Sequence, residues 1–583
     1  MSIIGAAHAA FVDTALDAMR DSNFLSKSDQ RIIADQARLV ESGVTFSPER
    51  QAMFIEANGE CDSSFATFDG TCVAEGNKGR TARALARLVA PAYCDGESTP
   101  RCDREGAELP NARHLSNVFH SDTKDAVTDP SNMSHMHMLW GQFLTHDIVL
   151  TPGTKIEGVD CACGSTNAEC HNINIPAGDP HMTKECIPMK RSHRTFSEWN
   201  GKSYQEQVSV ISAFVDGTVV YGTDVELTHT LRHQDRNGLV VSFNDDGVQL
   251  LPRTNESSLS PPKSAMSEPL VMADSVREKF KPKEELNEQG KPGFVAGDAR
   301  INEHPALQGL HTVFHLLHNW AVTELESQNP SWTGMTDMLF MEARQVVIAS
   351  IQNISYGAYL SGLLGADYAD KHGLTPAGKV SAFDASKAMD PTIVNEFSSA
   401  ALRFGHSQIN NPVPCLNPEW EEMELQQQSL QDNYFDPALL EKYGTDAIMR
   451  GNLATPGLAV DTNFADDVRN NLFKSFGSDE GGDLFAINIQ RGREHGIGSY
   501  LDVRRWCRSN GYAEAVSYKP GMQSLLESEY DNNEDIDLYV GGLAEEHLPG
   551  AVVGPTFGCI FAEQFKRLKS ANKYYFTNLN VYR

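Results

Sequence analysis

Apolar residues recur every three to four positions over two long stretches of the chain, 307–328 and 336–364. This spacing places them on one face of an α-helix and predicts two central helices that pack against a core. Residues 151–205 are polar, rich in glycine and cysteine and without periodicity, so they are predicted to be loops. Residues 365–395 and 411–470 are predicted to be loops with short helices. The pattern therefore predicts two long helices and little β-structure.

The charge of the chain restricts the classes of partner. It has 583 residues and a formal net charge of −29 at pH 7. Nucleic acids and anionic membrane surfaces attract basic patches, so this acidic balance argues against both as partners. No run of about 18 apolar residues occurs, and a membrane span is therefore not expected.

The eleven cysteines lie mostly in close, loop-like contexts: Cys61 and Cys72, Cys94 and Cys102, Cys161, Cys163, Cys170 and Cys186, Cys415, and Cys507 and Cys559. A zinc site within 161–186 fits poorly, because Cys-X-Cys is an awkward chelate and no His-X-X-X-His accompanies it. A disulfide framework, and with it an oxidising compartment, is the better interpretation. Local spacing suggests the pairs Cys61–Cys72 and Cys94–Cys102.

One short segment, 138–147 (MLWGQFLTHD), combines an amide, a hydroxyl, an imidazole and a carboxylate. Gln142 and His146 are four residues apart and share one helix face, with Thr145 beside them and Asp147 directed elsewhere. An imidazole held beside a hydrogen-bonding amide can move a proton between the two oxygens of a bound peroxide. A lone histidine on an apolar helix is as often a core residue with satisfied hydrogen bonds, so the assignment depends on the rest of the chain.

Segment 138–147 is similar to the distal haem helix of the animal haem peroxidases, the superfamily of myeloperoxidase, lactoperoxidase and peroxinectin. Five further segments resemble that family in the same order: 212–222 (SAFVDGTVVYG), 296–303 (AGDARINE), 403–406 (RFGH), 488–491 (NIQR) and 536–543 (IDLYVGGL). The resemblance implies a haem peroxidase catalytic domain over 61–583, mainly helical and built around a buried haem b. Residues 1–60, with short amphipathic stretches, would be an N-terminal appendage or a propeptide-like segment.

The resemblance implies roles for three residues around the haem, and charge and position suggest two more. His406 would be the axial ligand of the haem iron, and Asn488 would be the hydrogen-bond partner of its second ring nitrogen. Arg300 corresponds to the distal arginine, which would stabilise negative charge as the O–O bond breaks. An ordinary salt-bridge arginine is the alternative for Arg300. Arg403, and also Arg491, are candidates to pair with the haem propionates.

The sequence departs from the family at the covalent haem links. Glu303 matches one of the two family carboxylates that form esters with haem methyl groups. The other is an aspartate immediately before the distal histidine, and here that position is Thr145, which cannot form the ester. The family's sulfonium-forming methionine corresponds to His304. We therefore expect at most one link, through Glu303, with a less extreme redox potential, so that iodide, bromide, thiocyanate or phenols are better donor candidates than chloride.

A calcium site is expected beside the distal histidine. Ser212, Phe214, Asp216 and Thr218 alternate along an extended loop, so groups at every second position can face one centre. Carboxylate, hydroxyl and carbonyl oxygens suit a hard cation, with Phe214 contributing its backbone carbonyl. On the resemblance, Asp147 is the remaining ligand. A half-buried strand would show the same alternation.

The expected function is reduction of hydrogen peroxide by His146, Arg300 and Gln142 through a Compound I intermediate, followed by oxidation of a small donor. A fatty-acid oxygenase of the cyclooxygenase kind is one alternative; it would need a radical tyrosine, for which Tyr356 and Tyr359 are the candidates. A cell-adhesive, peroxinectin-like protein is the other. The sequence leaves the oligomeric state open.

The resemblance also suggests the disulfides Cys161–Cys170, Cys163–Cys186 and Cys507–Cys559. Cys415 is then left over, as a buried inert thiol or an intersubunit bridge. The cysteines and the family together point to a secreted, extracellular or granule protein. Three glycosylation sequons, at Asn132, Asn255 and Asn353, are compatible with this. His311, His315 and His318, spaced as on one helix without a carboxylate ligand nearby, are interpreted as packing or surface residues.

Overall fold

A computed structural model describes residues 65–578, apart from 121–127, 130–132, 155, 224, 233–236, 254–292, 377–381, 424–428, 475–477, 479 and 513. The predicted appendage 1–60, Cys61 of the predicted Cys61–Cys72 pair, and the sequons at Asn132 and Asn255 lie outside the described residues. Within the described chain, no helix is long and apolar enough to cross a membrane.

Helices dominate the fold, so the mainly α prediction is confirmed. In chain order the helices are α1 (Ala112–Phe119), α2 (Met136–Ile148), α3 (Thr218–Tyr221), α4 (Val225–Leu231), α5 (Pro305–Gln328), α6 (Thr336–Ile354), α7 (Leu360–Leu364), α8 (Ala366–Lys371), α9 (Asn395–Ser399), α10 (Ala438–Ala454), α11 (Asp466–Arg469), α12 (Leu484–Glu494), α13 (Tyr500–Ser509), α14 (Met522–Glu529), α15 (Leu538–Ala544) and α16 (Pro555–Ala571). Two 3₁₀ segments, Ala299–Glu303 and Ala401–Gln408, contribute to the site described below.

The two long helices predicted from apolar spacing are α5 and the run that begins with α6. Helix α5 starts where Pro305 occupies its first turn and the His304 side chain caps Leu307 N. The second run, predicted as one helix over 336–364, passes through a π-helical turn, Ser355–Tyr359, between α6 and α7. Helices α5 and α6 pack on each other, and their buried apolar faces form part of the main core.

The strands of the described residues are short: β1 (Arg83–Ala84), β2 (Ile173–Asn174), β3 (Cys186–Ile187), β4 (Arg194–Trp199), β5 (Lys202–Ser209), β6 (Ser242–Phe243) and β7 (Gln249–Leu250). All pair antiparallel, in the orders β1-β5-β4, β2-β3 and β6-β7. The loop prediction for 151–205 was wrong at the short pair β2 and β3 and at β4 and β5, which form a hairpin. Its turn contains Asn200 (φ 48°) and Gly201 (φ 75°), and an Asn-Gly turn with two positive φ angles is a strong hairpin signal.

Helix α10 is longer than the short helices expected in 411–470. It spans 17 residues and contains a break at Gly444, whose φ is 74°. Farther along, Gly451 lies so close to the chain at Pro414 that a Cβ would be 2.1 Å from the Pro414 carbonyl oxygen. Gly444 allows the break in the helix and Gly451 allows the close contact with Pro414. Both glycines weaken the helical pattern in the sequence.

Four predicted disulfides are present: Cys94–Cys102, Cys161–Cys170, Cys163–Cys186 and Cys507–Cys559. Cys415 is a buried free thiol, as the inert-thiol interpretation predicted, and burial raises its pKa to about 11. The sequon at Asn353 is buried in α6, so its amide is not accessible to a glycan in this fold.

The three histidines of α5 are core residues, which confirms the packing interpretation. His311 Nδ1 lies 3.1 Å from the carbonyl oxygen of Val219, and His315 Nε2 lies 2.7 Å from that of Val240. His318 Nδ1 lies 2.9 Å from the hydroxyl of Tyr221. Each is at most 1% exposed, so the surface alternative is wrong.

Candidate active site

A cavity of about 330 Å³ lies between α2, the 3₁₀ segment Ala299–Glu303 and the 3₁₀ segment Ala401–Gln408. It brings together residues from segments that are far apart in the sequence. Most of the sequence-predicted site residues line it: Gln142, Thr145, His146, Arg300, Glu303, Arg403 and His406.

His146 lies in the last turn of α2 and is 5% exposed. Its Nδ1 is enclosed and has no hydrogen-bond partner in the described part of the chain, so Nε2 is the nitrogen that can meet a molecule in the cavity. Burial, and then the nearby charge of Arg300, hold the pKa of His146 well below its usual value. The imidazole is therefore neutral near pH 7 and can accept a proton.

Arg300 is held by an ion pair and by the end of α2. Its Nε and Nη2 each lie 2.8 Å from an oxygen of Asp298. Nη2 also donates to the carbonyl oxygen of His146, and Nη1 to that of Val149, both at 3.2 Å. Burial opposes the charge on Asp298, but Arg300 outweighs it and keeps the pKa of this carboxyl below its usual range. Sequence reasoning missed Asp298, although it lies two residues before Arg300 and caps the 3₁₀ turn.

Gln142 is bonded at both ends of its amide. Its Nε2 donates to Glu303 Oε2 at 3.0 Å, and its Oε1 lies 2.8 Å from His304 Nε2. Thr145, beside it on α2, donates its hydroxyl hydrogen to the Gly141 carbonyl oxygen at 2.7 Å. The amide predicted to assist His146 thus also connects α2 to the segment that carries Glu303 and Arg300.

On the other side, His406 is held by an amide and an arginine. Asn488 Nδ2 donates to His406 Nδ1 at 2.8 Å, and Asn488 Oδ1 accepts from Arg403 Nη1 at 3.0 Å. With Nδ1 accepting this bond, the hydrogen of the neutral ring lies on Nε2. Binding of a metal ion through Nε2 would require that hydrogen to move to Nδ1 and the Asn488 amide to turn so that Oδ1 accepts it. Burial, then the charge of Arg403, lower the pKa of His406 to about 3, so the ring is neutral, as a metal ligand must be.

Of the two arginines proposed for anionic groups, only Arg403 lines the cavity. Its Nε donates to the Ser398 carbonyl oxygen at 3.1 Å, and within the described chain it forms no ion pair with a carboxylate. Arg491 instead donates to Glu494 Oε2 at 2.9 Å and to the Lys190 carbonyl oxygen. A partly buried cation without a carboxylate partner, as at Arg403, suits an anionic group of a cofactor.

The five residues proposed to bind calcium meet at the end of α2. Ser212, Phe214, Asp216, Thr218 and Asp147 are all buried. Asp147 accepts backbone hydrogen bonds from Asp216, Gly217 and Val219, while Asp216 accepts from the hydroxyls of Ser212 (2.6 Å) and Thr218 (2.8 Å).

The two carboxylates destabilise each other's charge. Burial, and then the neighbouring Asp216, raise the pKa of Asp147 well above its usual value, and burial raises that of Asp216 to about 6. A divalent cation would relieve this, and the set of two carboxylates, two hydroxyls and a carbonyl offers the oxygen ligands that calcium prefers. No cluster of three or more His, Cys, Asp or Glu side chains able to hold a metal occurs in the described residues, so this set depends on its hydroxyl and carbonyl oxygens.

A model of the animal haem peroxidase family matches residues 65–583. The chain is 30% identical to human eosinophil peroxidase, over 90% of this chain and 72% of that protein. It is 31% identical to the peroxidasin homolog pxn-2 of Caenorhabditis elegans, over 89% of this chain but only 40% of that longer protein. Among solved structures, peroxidase A from Dictyostelium discoideum shares the fold, with a TM-score of 0.70, 24% identity and coverage of 89% and 93% of the two chains.

Proposed function

This chain belongs to the animal haem peroxidase family, and from that premise we propose that it reduces hydrogen peroxide and oxidises small donors. One observation carries the proposal: the neutral His146 and His406 line the same cavity, and Arg300 is bonded to the backbone of His146. A proton acceptor, a fixed cation and an imidazole that can bind the iron are the groups that peroxide cleavage at a haem requires.

In the proposed reaction, His146 Nε2 takes a proton from hydrogen peroxide and returns it to the departing oxygen. Arg300 stabilises the negative charge that develops as the O–O bond breaks, and Gln142 borders the same space. The bound haem would supply the two electrons for this reduction and recover them from the donor. Because His146 Nδ1 is enclosed by protein, the proton transfer is confined to the nitrogen at the cavity.

The residues around the cavity fit a haem. His406 would bind the iron through Nε2 once Nδ1 carries the ring hydrogen and Asn488 Oδ1 accepts it, and Arg403 would pair with a propionate. Glu303, which lines the cavity, would be the carboxylate that forms an ester with a haem methyl. Thr145 has no carboxylate, and its hydroxyl is bonded to its own helix. We therefore propose haem b with at most one covalent link.

We further propose that calcium binds Asp147, Asp216, Ser212, Thr218 and the Phe214 carbonyl oxygen. The ion would tie the 212–218 loop to the residue that follows His146. With few covalent links the haem would be less distorted, so iodide, bromide, thiocyanate or phenols are the proposed donors. The disulfides support an oxidising, secreted or granule location.

A fatty-acid oxygenase is the second candidate, and one observation favours it: Tyr359 is buried against the cavity wall. A Cβ on Gly141, which lines the cavity, would lie 2.7 Å from the Tyr359 hydroxyl oxygen. Against it, that hydroxyl has no hydrogen-bond partner in the described part of the chain, and an oxidised tyrosine must release its proton to an acceptor. Tyr356, the other candidate, donates to the Phe565 carbonyl oxygen.

Haem titration of the purified chain tests the proposal. We expect a Soret band at one haem per chain, its loss in His406→Ala, and its retention in His229→Ala, a matched change at an exposed histidine. Peroxide-dependent oxidation of iodide, thiocyanate or a phenol would then support the peroxidase. Turnover of arachidonate without peroxide-dependent donor oxidation would favour the oxygenase, and failure to bind haem would favour an adhesive protein.

A further inference from the structure

Three hydrogen bonds connect His304, Gln142 and Glu303 into one chain. Leu307 N donates to His304 Nδ1 at 3.3 Å, where His304 caps α5. His304 Nε2 lies 2.8 Å from Gln142 Oε1, and Gln142 Nε2 lies 3.0 Å from Glu303 Oε2. These contacts join residues that are 161 and 162 positions apart, so they link α2 to the start of α5.

The helix cap fixes the direction of every bond in this chain. A neutral imidazole has one donor and one acceptor nitrogen, and burial, which lowers the pKa of His304 to about 3, keeps its ring neutral. Because Nδ1 accepts from Leu307, Nε2 carries the hydrogen and donates to Gln142 Oε1. The Gln142 amide can then face only one way, with its Nε2 donating to Glu303.

We propose that His304, acting through Gln142, is a positioning residue that orients the Glu303 carboxylate for attachment to haem. The proposal rests on the haem binding proposed above and deepens it. Gln142 holds Oε2 and so restricts rotation of the carboxylate, and an amide donor stabilises its ionised form. A carboxylate held in one orientation reaches a haem methyl more often than one that rotates freely.

The attachment step balances with hydrogen peroxide as the oxidant. A Glu303 oxygen forms a bond to a haem methyl carbon, and one C–H bond of that methyl breaks. The two electrons of that bond pass to hydrogen peroxide, which takes up the released proton and one proton from solvent and becomes two molecules of water. The carboxylate charge is lost in the ester, so charge balances as well.

Two replacements of His304 separate positioning from helix capping. In His304→Asn, the side-chain oxygen stands where Nδ1 was and keeps the cap on α5, but the chain is too short to reach Gln142. In His304→Gln, the amide nitrogen stands where Nε2 was and keeps the bond to Gln142. Gln142→Leu removes the amide that bonds both His304 and Glu303, and it leaves the His304 cap on α5 unchanged.

The experiment uses the full chain loaded with haem b and treated with hydrogen peroxide, and follows the haem that resists extraction into acidified butanone. We expect attachment to slow at least about fivefold in His304→Asn and Gln142→Leu, and to stay within about twofold of the unmodified chain in His304→Gln. Mass spectrometry of the haem peptide should locate the bond at Glu303. Haem content measured beforehand shows that each variant is loaded.

Equal attachment rates in His304→Asn, Gln142→Leu and the unmodified chain would overturn the positioning role while leaving haem binding intact. Haem that stays fully extractable from the peroxide-treated unmodified chain would overturn it too. A chain that binds no haem at all would instead contradict the proposed function and remove the basis of this inference with it.

Discussion

Arg300 and Asp298 form a two-point ion pair, with Nε–Oδ1 and Nη2–Oδ2 distances of 2.8 Å each. The same guanidinium donates to the carbonyl oxygen of His146 at 3.2 Å. Because Asp298 is only 3% exposed, the pair fixes the position of Arg300 relative to α2 before a ligand arrives. Asp298 is therefore a residue that positions Arg300, the proposed catalytic cation.

Replacing Asp298 with asparagine should slow the reaction with peroxide. The amide still caps the 3₁₀ turn but offers Arg300 one uncharged acceptor oxygen in place of the two-point ion pair, so Arg300 is free to shift. We expect the second-order rate constant to fall about 10- to 100-fold, the range that a misplacement of about 1 Å produces. Stopped-flow absorption of the haem-loaded chain measures it.

Asp384→Asn is the matched control for that change. Asp384 also caps a 3₁₀ turn, accepting from Ser386 N, but it does not line the cavity. Its rate constant should equal that of the unmodified chain. A similar loss in both variants would mean that the loss is not specific to the pair of Asp298 and Arg300.

Asn488→Asp should lower the reduction potential of the bound haem. A carboxylate beside His406 Nδ1 draws the ring proton and makes the ligand more imidazolate-like, which stabilises the oxidised iron. Spectroelectrochemistry on the haem-loaded chain measures the midpoint. Asn117→Asp, an amide in the network of Asp179 and away from the cavity, is the control and should leave the potential unchanged. A potential that rises in Asn488→Asp would contradict the assignment of this pair.

Calcium removal should destabilise the chain through Asp147 and Asp216. A ligand bound at about 100 times its Kd stabilises the folded state by about 2.7 kcal/mol, so a chelator should lower Tm by several degrees and added calcium should restore it. Asp216→Asn should abolish the calcium-dependent shift, and Asp370→Asn, an exposed change, should keep it. An equal response to the chelator in both variants would place the ion elsewhere.

The buried His315 should make stability depend on pH below neutrality. Burial lowers its folded-state pKa to about 4, against about 6.5 when unfolded, so the unfolded chain binds this proton first as the pH falls. The contribution is present above about pH 6.5 and lost progressively down to about pH 4, for a total of about 3 kcal/mol. His315→Gln keeps a donor for the Val240 carbonyl oxygen and does not titrate.

Denaturant titrations between pH 7 and pH 4 measure this effect. In His315→Gln the free energy of unfolding should fall less steeply with decreasing pH than in the unmodified chain. His229→Gln, at an exposed position of α4, should reproduce the unmodified slope. If the free energy of unfolding had the same pH dependence in all three proteins, His315 would gain its proton at the same pH in the folded and the unfolded chain.

The sequence predicted the features that depend on local spacing. The apolar periodicity of 307–328 lies within α5, and the close cysteine spacing of 94 and 102 matches a disulfide. The segments of the family resemblance also meet, since His146, Arg300 and His406 line one cavity. The helix and the disulfide follow from residues that are close in the sequence, and the shared cavity follows from the set of segments that resembles the family.

The features that the sequence did not reveal depend on contacts between distant segments. Gln142 gave no sign that its amide would be held by His304, 162 positions away. The hairpin of β4 and β5 could have been predicted, since Asn200-Gly201 is the turn signal, but the polar composition around it favoured loops. Helix α10 was underestimated because Gly451 serves a contact with Pro414 that only the fold reveals.

The central claim is that His146 accepts the peroxide proton in a haem-loaded cavity. Its most direct test is stopped-flow absorption of the chain, mixed with one equivalent of hydrogen peroxide, compared with His146→Leu. We predict a Soret band that drops and shifts within milliseconds in the unmodified chain, and a rate constant lower by about 10²- to 10⁴-fold in the variant. A haem band that ignores peroxide, or an equal rate in both proteins, would contradict the account.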